Sequence, residues 1–73
     1  MSEAYFSENS EAMVALEAMV DKVGLRNVVF ALSHICDAKA EHIHSNWQDH
    51  ALAKHWENDA HKLDAIANRL NAY

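Results

Sequence analysis

The sequence predicts an all-α protein: a helical hairpin that follows a short N-terminal helix, with two chains joined in a dimeric helical bundle. The tight turns of β proteins depend on residues with unusual backbone angles, such as glycine and proline. This chain of 73 residues has one glycine and no proline, which argues against a β fold. Ala, Leu and Glu, which favour helices, are plentiful. Apolar residues also recur every seven positions near the C-terminus, and this repeat predicts a helix that packs against another helix.

The composition, 51% apolar and 23% charged residues, is that of one small globular domain. The formal net charge of −5 disfavours nucleic acid as a partner. The longest apolar run, Val28–Leu32, is far shorter than the roughly 20 residues that span a bilayer, so no membrane segment is expected. A single cysteine has no partner for an internal disulfide, which favours a cytoplasmic location. A core this small rarely supplies more than about 3–5 kcal/mol, so a partner chain or a metal is expected to add stability.

Residues 1–9 are predicted to form a loose or docking N-terminal arm, and residues 10–73 a single helical domain. The arm is polar apart from Tyr5 and Phe6. Ser10 is a suitable N-cap for a first helix over about residues 10–23, and Gly24 follows it where helices commonly end. The apolar residues between them have helical spacing: Met13, Leu16, Met19, Val20 and Val23.

The second helix is predicted over about residues 26–45. Its apolar stripe advances in steps of three or four residues: Val29, Leu32, Cys36, Ala40, Ile43 and Trp47. The run Val28–Phe30 favours a strand locally, but the chain offers no second strand-like run to pair with it.

The third helix, over about residues 48–71, carries the seven-residue repeat. Alanine occupies one core position of the repeat and a large apolar residue the other, and these six residues are the predicted helix–helix interface: Ala53, Trp56, Ala60, Leu63, Ala67 and Leu70. Leu52 and Ile66 widen the stripe into a face.

A turn is expected between the second and third helices. Their apolar stripes differ in phase by roughly 130°, so one straight helix would not bring both into one core. The segment Ser45-x-x-Gln48 fits a capping box for the third helix. Trp47 and Trp56 flank this turn, where they either close the end of the hairpin or anchor a partner protein.

Six histidines lie in the two long helices: His34, His42, His44, His50, His55 and His61. Two lines of acids and imidazoles result, one formed by Asp37, Glu41 and His44, and one by His50, Glu57, His61 and Asp64. Glu41-x-x-His44 places a carboxylate and an imidazole about one turn apart, where one metal ion can bridge them.

With that spacing on a two-helix hairpin, the chain resembles the ferritin-like proteins, particularly the short encapsulated ferritins that assemble an iron site between hairpins. The resemblance implies a metal-binding bundle that uses Glu41 and His44 at a subunit interface, with a further ligand from another chain.

The stretch from Ile35 to Trp56 is also similar to short bacterial helical proteins of uncharacterised function. This second likeness covers the segments ICDAKAEHI, NWQD and LAK-x-W. It implies a genuine domain and no particular activity.

No motif points to catalysis or to a cofactor. Cys36 lies in the middle of an apolar stripe, where it is expected to be a buried small side chain. A phosphate-binding loop needs more than one glycine, and no serine follows a strand in the manner of a hydrolase nucleophile. The first hypothesis is therefore a non-catalytic homo-oligomer with a possible protein partner, and the alternative is the metal-binding bundle on Glu41 and His44.

Overall fold

The computed structural model describes residues 10–71, apart from the side chain of Trp47, and the regular elements in that range are all helical. In chain order they are α1 (Glu11–Val23), α2 (Leu25–His42), a π-helical turn (Ile43–Trp47) and α3 (His50–Arg69). The all-α prediction is thus confirmed for the described residues. The predicted arm over residues 1–9, with Tyr5 and Phe6, lies outside them. Within the described range no helix is both long and apolar enough to cross a membrane.

The first helix has the caps that the sequence predicts. The Ser10 side chain accepts a hydrogen bond from the Met13 backbone N–H at 3.1 Å. The helix ends at Val23, and Gly24 takes φ 93° and ψ 151°, a combination that is almost restricted to glycine. α1 contacts α2, but none of its thirteen residues is buried, so its packing is shallow.

α2 and α3 lie side by side and run in opposite directions. Near one end the Arg26 guanidinium donates to the Leu70 carbonyl, and in the middle the Ser33 hydroxyl donates to the Ala60 carbonyl at 2.8 Å. A small apolar cluster lies at the other end, next to the turn: Ala40, Ile43 and Ala53, with Trp56 packed against them.

Small side chains fill the space between these two helices. On α3, Ala53, Ala60 and Ala67 are only 0–2% exposed. On α2 the buried side chains are Val28, Ser33, Cys36 and Ala40. Small residues on both helices allow the backbones to approach closely, and Cys36 is buried as expected.

Among its described side chains the predicted stripe of α2 is wrong at one position, and its last member, Trp47, lies outside them. Leu32 was expected to face the core, but it is 42% exposed, and Ser33 is buried in its place. A serine is tolerated there because its hydroxyl donates to the Ala60 carbonyl, which leaves no unsatisfied polar group. Its small volume also suits the close approach of α3.

The predicted capping box is also wrong. Asp49, rather than Ser45, is the N-cap of α3, since its carboxylate accepts from the Leu52 backbone N–H at 3.0 Å. The preceding residue, Gln48, reverses the chain with left-handed backbone angles (φ 52°, ψ 29°).

The helix bounds near the turn move accordingly. The predicted second helix over residues 26–45 is α-helical from Leu25 to His42 and then widens into the π-helical turn. This turn closes with a hydrogen bond from the Gln48 backbone N–H to the Ile43 carbonyl at 2.9 Å. The predicted third helix over residues 48–71 is shorter than expected and runs from His50 to Arg69.

Candidate interaction surface

The six residues predicted as a helix–helix interface divide into two groups. Ala53, Ala60 and Ala67 are buried against α2 of their own chain and have almost no surface left for a second one. The large members of the repeat, Trp56, Leu63 and Leu70, are half-buried and keep part of their surface exposed. The alanines therefore join helices within the chain, whereas the large residues can also reach another molecule.

A polar cluster crosses from α2 to α3 at the turn. Nδ1 of His44 lies 2.7 Å from Nδ1 of His50, and Nε2 of His44 lies 3.1 Å from Oε1 of Glu57. The two imidazole centroids are 4.9 Å apart with the planes tilted by 36°, so the rings meet end to end rather than stacking. His44, from the predicted line of acids and histidines on α2, thus contacts His50 and Glu57 from the predicted line on α3.

The donors in this cluster follow from the carboxylate. An ionised Glu57 only accepts, so the Nε2 of His44 must carry a hydrogen. In a neutral His44 ring the Nδ1 is then the acceptor, and His50 donates to it from its own Nδ1. Because His44 and Glu57 are both more than a third exposed, their pairing contributes only about 0.2–1 kcal/mol.

His44 of the predicted metal pair contacts α3 instead. Both of its ring nitrogens are directed at α3 residues, and Glu41 is exposed on α2. In the part of the chain that the structure describes, no group of three or more His, Cys, Asp or Glu side chains is placed to hold a metal ion.

Because His44 contacts Glu57, the flank of α2 that carries His44 and the flank of α3 that carries Glu57 lie on the same side of the helix pair. Residues advance by about 100° around a helix, so Asp37 and Glu41 lie on the His44 flank of α2. The same spacing places Leu32 and Ile35 on the opposite flank. We call the side that carries His44 and Glu57 the polar face.

The other side of the α2–α3 pair is apolar. Six residues from the two helices fall on it by the same spacing and define the apolar face: Leu32, Ile35, Leu52, Trp56, Leu63 and Ile66. Four of them, Leu32, Ile35, Leu52 and Ile66, are 42–51% exposed. Lys39 and Asp59 are also on this side, and their opposite charges cancel.

A shallow depression borders the apolar face on α2. Its volume is about 340 Å³, and its lining is Ile35, Ala38, Lys39 and His42. Ala38 and Lys39 lie three and four positions after Ile35, and His42 lies three positions after Lys39, so the depression runs along one flank of a single helix. Such a shape suits a side chain from a neighbouring helix.

A comparison of the chain with known protein families, with curated proteins and with solved structures finds no match in any of the three. The resemblances to ferritin-like proteins and to short bacterial helical proteins therefore stay predictions.

The sequence did not predict the two contacts of the polar cluster or the α2 part of the apolar face. The repeat on α3 already contained Leu52 and Ile66, which was the available signal for the face. On α2 the signal was Leu32 and Ile35, which are three residues apart and therefore lie close together on one flank. Nothing in the sequence indicated that His50 and Glu57 meet His44, because that contact depends on the geometry of the turn.

Proposed function

We propose that this chain is a small non-catalytic helical protein that acts through self-association and protein–protein interaction, with a homodimer as its working form. The observation that carries the proposal is the exposure of large apolar side chains on the packed helices. Leu32 and Ile35 on α2, and Leu52 and Ile66 on α3, are 42–51% exposed although the two helices pack against each other.

These side chains are in contact with water in the single chain. Covering them with another chain would recover hydrophobic free energy at about 25 cal/mol for each Å² buried.

The core inside one chain is correspondingly weak. Among the described residues no large side chain is fully buried, and three of the most buried positions of α3 are alanines. Alanine contributes little buried apolar area, so the seam between α2 and α3 aligns the helices without supplying much stability. A second chain is the natural source of the missing core.

Sedimentation velocity over a dilution series tests this proposal, with far-UV circular dichroism recorded on the same samples. We expect a dimer at micromolar concentration, and dissociation on dilution accompanied by loss of helix. A monomer that keeps its full helicity at every concentration would contradict self-association as the function.

The ferritin-like alternative, a metal site on Glu41 and His44 at a subunit interface, remains a prediction without support from the side-chain arrangement. Metal analysis of untagged purified protein tests it directly. Stoichiometric iron, zinc or copper would favour the alternative.

A further inference from the structure

We propose that two copies of the chain pair through the apolar face, so that the α2–α3 pairs of both form a two-layer bundle of four helices. This inference rests on the proposed function, because it names the surface and the partner of the self-association. It also moves the interface away from the alanine seam, which is occupied within each chain.

The exposed apolar residues indicate which surface forms the interface. Leu32 and Ile35 on α2 share one side of the helix pair with Leu52 and Ile66 on α3, and all four are 42–51% exposed. Helices in small domains need a second layer over their apolar stripe, and the described part of the same chain leaves these four side chains about half exposed. The face extends over both helices, so it is suited to a pair of helices rather than to a single short peptide.

Charge favours a second copy as the occupant. The chain carries a net charge of −5, but the apolar face carries Lys39 and Asp59, whose charges cancel. Two copies therefore meet through this face without the repulsion that their other surfaces would produce. A basic partner protein would instead be attracted to the polar face, where Asp37, Glu41 and Glu57 are located.

The shape of the face also fits a symmetric pair. In a two-fold dimer the same patch is used on both subunits, so each copy covers the exposed side chains of the other. The depression beside Ile35 offers space for a side chain of the second copy.

Matched glutamate substitutions on the full-length chain test the assignment. Ile35→Glu and Ile66→Glu each place a charge on the apolar face. His34→Glu and Asn68→Glu, at exposed positions outside the face on the same two helices, are the controls. Because each change enters a two-fold interface twice, we expect the face variants to raise the dimer dissociation constant by about a hundredfold or more. The controls should change it by less than about threefold.

The outcomes separate this inference from the proposed function. If the native chain dimerises and all four variants dimerise equally well, or if the control variants dissociate instead, the apolar face is not the interface although self-association stands. If the native chain is a folded monomer at all concentrations, the proposed function fails.

If the glutamate variants fail to fold, alanine substitutions at the same two positions still test the assignment. Ile35→Ala and Ile66→Ala remove half-exposed side chains, so they preserve the fold of one chain while reducing the area that a second copy can cover. We expect the urea midpoint of the native chain to rise with protein concentration, and that of the doubly alanine-substituted chain to rise much less. Equal concentration dependence in both proteins would overturn the assignment.

Discussion

Replacing Ala60 with tryptophan is the most direct test of the seam between α2 and α3. Ala60 is 2% exposed, and its carbonyl accepts the Ser33 hydroxyl from α2 at 2.8 Å. An indole at this position has no room, so it must push the two helices apart. The Ser33 hydrogen bond would be lost at the same time.

The expected loss can be estimated from these two effects. Overpacking a well-packed site costs about 1–3 kcal/mol, and a lost hydrogen bond about 0.5–1.5 kcal/mol. The sum of about 1.5–4.5 kcal/mol is a large share of the roughly 3–5 kcal/mol that a domain of this size commonly has. We therefore expect Ala60→Trp to unfold at a much lower urea concentration than the native chain.

Urea denaturation followed by far-UV circular dichroism measures this loss, with all proteins at one concentration. Ala65→Trp is the matched control, because Ala65 is exposed on α3 and lies on neither the seam nor the apolar face. Its cost should be limited to the helix propensity of tryptophan, about 0.5 kcal/mol. Equal destabilisation by the two substitutions would show that α2 does not pack against Ala60.

A second substitution separates packing from hydrogen bonding. Ser33→Ala alone should cost about 0.5–1.5 kcal/mol, because it removes the hydroxyl and little volume. In the Ala60→Trp background the same change should cost almost nothing, since the hydroxyl has already lost its acceptor. Additive effects in this double-mutant cycle would contradict the contact.

Three further expectations concern the ends of the helices and the polar cluster. Gly24→Ala should destabilise the protein by about 1–3 kcal/mol, because it forces a side chain into a backbone region reserved for glycine. Gln48→Gly should stabilise it by up to about 1 kcal/mol, because it removes a side chain from a left-handed position. Chemical denaturation measures both changes in stability, and changes of the same sign would contradict the backbone angles. Asp49→Ala should cost about 1 kcal/mol through loss of the N-cap of α3, with an unchanged midpoint counting against that cap. His50→Ala should cost no more than about 1 kcal/mol in the same assay, since the cluster it leaves is solvent-exposed, and a larger loss would mean that the cluster is buried.

The elements of this fold were predictable from the sequence because their signals are local. Ser10 and Gly24 mark the two ends of α1, and the side chain of the first and the backbone of the second behave as helix caps usually do. The seven-residue spacing of Ala53, Ala60 and Ala67 correctly identified the most buried positions of α3. In each case the residue determines its structure together with neighbours only a few positions away.

Hydropathy misidentified the inward side of α2 at one position because it ranks residues by polarity and ignores size. Leu32 is the more apolar residue, but the space opposite Ala60 is narrow and accepts only a small side chain. Ser33 satisfies this steric condition, and a backbone carbonyl on α3 satisfies its hydroxyl. That acceptor lies 27 positions away in the sequence, so no local pattern identifies it.

The contacts of the polar cluster could not be predicted from the sequence for a related reason. Its three members were all recognised as parts of acid and histidine lines, yet which of them meet depends on the turn. The π-helical turn and the left-handed Gln48 after it set the position of α3 against α2, and so determine which α3 residues His44 meets. Without a glycine or a proline between His42 and His50, the sequence offered no sign of that irregularity.

The alanine seam has a consequence for how the two helices choose their alignment. Because alanine recurs at Ala53, Ala60 and Ala67, sliding α3 along α2 by seven residues, about 10.5 Å, places one alanine where another had been. Ser33 would again meet a backbone carbonyl, so the seam is degenerate in register. The turn at Gln48 and the contact between Arg26 and the Leu70 carbonyl are what break the degeneracy. A chain whose turn was lengthened by about seven residues would be expected to populate two registers.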